Sequence, residues 1–278
     1  MNSGKKSSSD KEIFIKDNRL VSEKEWINII DKITKDSVTV KTKEEALNLL
    51  STYLERAIKK RMENINNFAI FFSGGIDSTI IAFYAKKLGK NFRCYSVGVE
   101  KSKDIEWALK IAKHFDFDIK YKIFDIEEAE EIIKKAATII GPDVVKVGVA
   151  AVVIAAFKIS KKEKVFFSGL GSEEIFAGYE RHALTNDVNA ECIVGLKTMW
   201  QRDIIRDYTL SKKFGFEIRT PFLDKDLIRA TIKIAPQYKI DNQHKKIILR
   251  EFAELKGIPK EFAWRKKVAA QYGSGFDK

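Results

Sequence analysis

The run Ser73-Gly74-Gly75-Ile76-Asp77-Ser78-Thr79 holds the residues best suited to chemistry. It lies between the apolar stretch 68–72 and the apolar-rich stretch 80–88, so it reads as a turn between a buried strand and a helix. Glycines let such a turn bend sharply and bring its backbone close to an anion. The helix start adds unpaired N–H groups and a partial positive charge. Ser73, Ser78 and Thr79 add hydroxyl donors, and the whole reads as a phosphate cradle. Asp77 is the odd member, because a carboxylate repels a phosphate unless a divalent cation bridges them. A second glycine turn, 168–174, follows the apolar run Val165–Phe167 and places Glu173 and Glu174 at a helix opening. Acids there can simply complement the helix dipole. Glu173 can also supply the second carboxylate that a bridging Mg²⁺ takes beside Asp77. The bland alternative for the first loop is an ordinary capped turn, with Asp77 or Ser78 near the cap.

These residues need a scaffold, and the chain alternates strand and helix patterns to provide one. Strands are expected at 68–72, 92–97, 119–124 and 165–167, the second ending at a Gly98 turn. Helices are expected at 103–115, from Asp125 with Glu128 to Ile140, and at 147–157. This alternation predicts an α/β fold with a parallel sheet and helices on both faces. Ligands in such folds sit at the carboxyl ends of the strands. The 73–79 loop, the Gly98 turn and the Gly169 turn all fall at that edge. Ahead of the sheet, 13–21 reads as a hairpin fragment. Ser22 with Glu25, and Thr42 with Glu45, read as helix starts. Beyond 183 the strand signals fade, and 187–213 and 224–256 read as helical, joined by an extended connector over 216–224. The expected organisation is a disordered tail over 1–12, a helical extension over 13–66, a nucleotide-binding core over 67–183 and a helical part over 184–278.

Composition narrows the class further. An apolar share of 45% suits a chain with a substantial core. The stretch 147–157 is too short to span a bilayer. The N-terminal residues lack the apolar run of a secretory signal. Two cysteines without metal-ligand or redox spacing favour a reducing cytoplasm. The excess of 51 Lys and Arg over 39 Asp and Glu favours anionic partners. Because the basic residues interleave with acids, this argues only weakly for nucleic acid.

Five blocks carry a resemblance to a known family. They are SGGIDS at 73–78, SVG at 96–98 with Asp104 beyond, SGLGSEEIFAGY at 168–179, FGFEIRTPFLD at 214–224, and KIILRE at 246–251 with WRKKVAAQYGSG at 264–275. In this order they resemble the synthetase domain of asparagine synthetase and its relative beta-lactam synthetase, over about 45–275. The first block resembles the pyrophosphate loop (PP-loop) of enzymes that split ATP into AMP and pyrophosphate, with an adenine nucleotide alpha-hydrolase-like fold. The resemblance implies adenylation of a carboxylate by Mg-ATP, then attack by nitrogen on the acyl adenylate. It implies that Ser73, Gly74, Gly75, Asp77 and Ser78 hold pyrophosphate. Phe72, Val97, Gly98, Ser168 and Gly169 would meet the nucleotide, largely through backbone. Asp77 and Glu173 would hold Mg²⁺, Lys246 would meet phosphates, and Lys267 would be the catalytic lysine. Glu217, Arg219, Pro221 and Asp224 read as structural, with a substrate role left open.

Three departures stand out. Leu170 occupies a position where asparagine synthetases usually carry an acid tied to the second half-reaction, and leucine cannot move a proton. Glu173 replaces the usual aspartate. The glutaminase domain of the family is expected to be absent, since Met1 is followed by Asn2 and not by the cysteine that domain needs. The expected nitrogen donor is therefore free ammonia, an amine, or a separate glutaminase subunit. The alternatives are a non-catalytic or partner-dependent ATP-binding subunit and a PP-loop enzyme that modifies RNA.

Overall fold

The computed structural model describes residues 12–266 and 270–276. A two-stranded antiparallel hairpin opens it, Ile15–Lys16 (β1) with Arg19–Leu20 (β2). Glu23–Lys35 (α1) starts at Ser22, whose hydroxyl and backbone both pair with Glu25 in a capping box. Lys43–Met62 (α2) starts where Thr42 accepts from the Glu45 N–H. Next come Asn67–Phe71 (β3), Ile76–Lys87 (α3), Asn91–Val99 (β4), Lys103–Phe115 (α4), Ile119–Phe124 (β5), Ile126–Ile140 (α5), Val144–Ile159 (α6) and Val165–Phe167 (β6). Ser102, Asp125 and Asp143 cap α4, α5 and α6 by accepting from backbone N–H groups. The rest is Ser172–Ile175 (α7), Val188–Met199 (α8), a π-turn at Trp200–Ile204, Ile205–Phe214 (α9), Glu217–Arg219 (β7), Lys225–Thr231 (α10), Ile247–Leu255 (α11), Lys260–Ala263 (α12) and Ala270–Ser274 (α13).

The chain divides into two compact units. The sheet unit comprises Ile58–Gly169, Arg206–Arg219 and Arg250–Lys278. Its five strands run in the order β5-β4-β3-β6-β7, all parallel. On one face Ala69, Tyr95, Val97, Phe166 and Ile218 pack with α5 and α6 into a core. The alternate residues Phe68, Ile70, Phe92 and Cys94 are buried on the other face, where Phe92 meets Phe117 beyond the end of α4. Near-continuous burial along β3, β4 and β6 makes both faces of the sheet's centre apolar, as a sheet covered on both sides requires. Because the strands are parallel, the carboxyl ends of β3, β4 and β6 lie at one rim.

The helical unit comprises Met1–Ala57, Leu170–Ile205 and Thr220–Leu249. Trp26 of α1 is fully buried and donates its indole N–H to the Leu196 carbonyl of α8 at 2.8 Å. Trp200, in the π-turn, donates likewise to the Val21 carbonyl at 2.9 Å. Among the described residues no single helix is long and apolar enough to cross a membrane.

Three sequence expectations need correction. Gly98 is not a turn after the second strand; it lies inside β4, paired in register with Ile123 of β5. The connector over 216–224 contains a fifth sheet strand, β7, paired with β6. Three residues are too few to show a period. The expected helix over 224–256 is broken between α10 and α11. Pro236 lacks an N–H to continue a helix. Asp241 folds back on the Gln243 and His244 N–H groups at 2.7 and 2.6 Å. The tail expected over 1–12 falls almost wholly outside the described residues, as does Lys267.

Candidate active site

The sheet unit presents the first loop as the sequence implies. β3 runs into Phe72, whose N–H still pairs with the Tyr95 carbonyl at 2.9 Å. Gly74 then turns the chain at φ +65°, in the left-handed region. A side chain there would also strike the backbone of α4, since a Cβ would lie 2.9 Å from the Ala108 nitrogen. Gly75 precedes α3 in an extended conformation and supplies no side-chain cap. The α3 N-terminus therefore keeps the open N–H groups that receive an anion.

The hydroxyls divide their roles. Ser78 donates to the Gly75 carbonyl at 3.1 Å, which braces the loop. Thr79 is fully buried. Ser73 is half-buried and accepts from the Gly75 N–H at 3.4 Å, leaving its own proton to donate. Asp77, in the first turn of α3, is half-buried and so is reachable by a cation. The β6 loop comes close beside it: a Cβ on Gly169 would lie only 2.7 Å from the Asp77 Cβ.

Val97 and Gly98 in β4, and Ser168 and Gly169 beyond β6, share this rim. The Ser168 N–H is bonded to the Arg219 carbonyl at 2.9 Å. Nucleotide contacts from the Phe72 or Ser168 backbone would therefore use their carbonyls. Arg219 is fully buried and pairs with Glu217 at 2.9 Å, which supports the structural reading of that connector.

Sequence reasoning gave no role to Arg265 or Asp104. Arg265 donates to the Ser73 carbonyl at 2.7 Å and to Asp104 at 2.6 Å. The signal available was their position inside matched blocks, since 161 residues separate them.

In the helical unit, Glu173 and Lys246 meet each other. Lys246 Nζ lies 2.6 Å from Glu173 Oε1 and 3.0 Å from Ser172 Oγ. Lys246 holds φ +57°, a left-handed conformation unusual for a lysine and of the kind that clusters at functional sites. Glu173 remains about one-third exposed, at 35% of its side chain. Its neighbour Glu174 is fully buried, accepting from Tyr179 Oη at 2.9 Å and from Arg202 at 2.5 Å. Glu174 is thus the structural acid of the pair. Leu170 is half-buried and offers no proton-transfer group.

Burial, with Asp203 adding to it, pushes the Glu174 carboxyl up to about 7. Burial and the Arg181 charge push the His182 imidazole down to about 4 from 6.5. His182 is neutral in the fold, its Nδ1 accepting from the Tyr179 N–H at 3.0 Å. A depressed histidine contributes stability that is present above pH 6.5 and lost as pH falls toward 4. A raised carboxyl acts in the opposite sense, losing stability as pH rises from 4.5 through 7. His182→Asn keeps an acceptor for Tyr179 and removes the acid-sensitive group. Urea unfolding at pH 7 and pH 4 should show wild type losing on the order of 3 kcal/mol more than this variant on acidification. Equal losses would refute the assignment.

The donor set fits a Mg²⁺-bound pyrophosphate. In the sheet unit it combines open helix N–H groups, a glycine turn and a reachable carboxylate in the first helical turn. Among the described residues no cluster of three or more metal-ligating side chains occurs.

The asparagine synthase family model matches residues 49–188 and 184–277. The chain belongs to the asparagine synthase family. A Methanocaldococcus jannaschii protein described as a candidate glutamine-hydrolyzing asparagine synthetase is 28% identical over 95% of this chain and 56% of its own length. Asparagine synthetase 1 of Lotus japonicus is 29% identical over 80% of this chain and 42% of its own. The chain therefore spans about half the length of the curated relatives it matches. Among solved structures, the NMN synthetase of Francisella tularensis aligns with 82% of this chain and 99% of its own, at 13% identity and a TM-score of 0.36.

Proposed function

We propose that this member of the asparagine synthase family activates a carboxylate with Mg-ATP, releasing pyrophosphate and leaving an acyl adenylate for attack by ammonia or an amine. The observation that carries the reading is the uncapped start of α3 behind Ser73, Gly74 and Gly75, with Asp77 reachable in its first turn. Charge builds on the phosphate oxygens as the bond to pyrophosphate breaks, and preorganised N–H groups stabilise that charge without reorganising. Asp77 and Glu173 are proposed to hold Mg²⁺, which would neutralise phosphate charge when bound. Lys246, which pairs with Glu173, is proposed to meet the phosphates. Lys267 is proposed to steady the acyl transfer.

Aspartate is the proposed acid, and Leu170 leaves the identity of the nitrogen nucleophile to be measured. A separate glutaminase subunit is one proposed source of ammonia. A cytoplasmic setting belongs to the same proposal, as both cysteines are free thiols. Those thiols count against RNA thiolation. Cys94 and Cys192 are fully buried, and burial raises both thiols, so neither offers a ready thiolate. Leu170 favours one second reading, an ATP-binding subunit without turnover of its own.

The test is product analysis with ATP, Mg²⁺, ammonia and a panel of carboxylic acids. AMP and pyrophosphate in equal amounts, with an amide product, support the ligase. Tight ATP binding without either product supports the second reading. The Asp77–Gly169 contact adds a sharper check. Gly169→Ala forces a methyl into a 2.7 Å gap and must displace Asp77 or its own loop. We expect kcat/KM for ATP to fall about 100-fold, against a stability loss of about 1–3 kcal/mol. Unchanged kinetics would show that Asp77 does not need its present position.

A further inference from the structure

We propose that Arg265 and Asp104 are positioning residues that hold the 73–75 loop in its anion-receiving form and fasten the C-terminal segment to it. The inference deepens the proposed function and rests on that reading for its ligand, but its structural part can be tested without one. Both side chains are only 4% exposed, and both belong to the sheet unit. A buried ion pair of this kind is poor evidence for stability, because desolvation offsets much of the attraction. Its value here lies in where it aims the guanidinium.

Arg265 uses its planar fork on two targets at once. One nitrogen donates to the Ser73 carbonyl at 2.7 Å and the other to Asp104 at 2.6 Å. The cation also lies 5.4 Å from the centre of the Trp107 ring. A trans peptide is planar, with its C=O and N–H pointing in opposite directions. By holding the Ser73 carbonyl, Arg265 fixes the Gly74 N–H on the other side of that plane. Glycine at 74 and 75 leaves this peptide little resistance to flipping. A flipped peptide would present a carbonyl oxygen where the cradle needs a donor.

The same helical turn fastens the chain a second time. Ser102, the cap of α4, donates to the Gly273 carbonyl at 2.9 Å. A Cβ on Gly273 would lie 2.5 Å from the Asp104 carboxylate, so the segment packs directly on it. The start of α4 thus grips residues 265 and 273. Loop geometry and the attachment of the 270–276 segment share one anchor.

The test compares wild type with Arg265→Lys and Asp104→Asn in the full chain. Lysine keeps the charge but cannot reach two acceptors in a plane. Hydrogen exchange on the nucleotide-free protein should show faster exchange in peptides covering 73–79 and 270–276, with the rest of the sheet unchanged. Calorimetry with Mg-pyrophosphate should show Kd rising about 10- to 100-fold for Arg265→Lys. Selective loosening of both peptides supports the proposal. Exchange that rises uniformly, or only in 270–276, overturns it in favour of a merely structural pair. If Arg265→Lys does not fold, Asp104→Asn decides by the same exchange pattern. A wild type that binds no pyrophosphate would sink the proposed function, while the exchange result would still decide the anchoring.

Discussion

Asp77→Asn is expected to lower kcat/KM for pyrophosphate release about 100- to 1000-fold, the cost of losing one preorganised charge partner in a transition state. The substitution keeps shape and removes charge. Asp77 lies in the first turn of α3, where a carboxylate favours the helix by roughly 0.3–1 kcal/mol, so the fold should lose no more than that. Without Mg²⁺ the Asp77 carboxylate repels ATP, so the variant should bind metal-free ATP more tightly than wild type. With Mg²⁺ it should bind more weakly. Calorimetry in EDTA and in Mg²⁺ reads both arms, and a variant that binds less tightly in both would remove Asp77 from the metal.

Phe166→Ala is expected to cost about 3–5 kcal/mol, the largest stability change proposed for this chain. Phe166 is fully buried in β6, between β3 and β7. Its ring centroid lies 4.8 Å from Phe71, 5.0 Å from Phe216, 5.9 Å from Phe157 and 6.2 Å from Tyr95. Four rings from four segments cannot all move into the vacated space, so a cavity term adds to the lost transfer energy. A loss of this size is a large share of the roughly 5–15 kcal/mol that holds a domain folded. Denaturant unfolding measures it, and a loss under about 1 kcal/mol would show that the cluster repacks. Because β6 leads directly to Ser168 and Gly169, nucleotide affinity should fall with it.

Much of this scaffold was legible in the sequence, and the reasons are local. α4, β5 and β6 begin and end where their patterns place them, because Ser102 caps α4 and Asp125 caps the helix after β5. The 73–79 loop was legible because strand, glycine turn and helix start are contiguous. What escaped depends on distant partners. β7 is a strand only because β6 lies beside it, and three residues carry no period of their own. The pairing of Lys246 with Glu173 joins positions 73 apart, beyond the reach of any local pattern. Arg265 looked like one basic residue in a basic run. Only packing shows it buried against the loop that the sequence had marked.

Adenylation of a carboxylate at the rim of β3, β4 and β6 is the step proposed for this chain. Exchange of labelled pyrophosphate into ATP measures that step alone, independent of the nitrogen donor. Exchange should require both Mg²⁺ and a carboxylic acid, and should fall at least 100-fold in Asp77→Asn. Folded wild-type protein that binds Mg-ATP yet shows no exchange with any acid would contradict it.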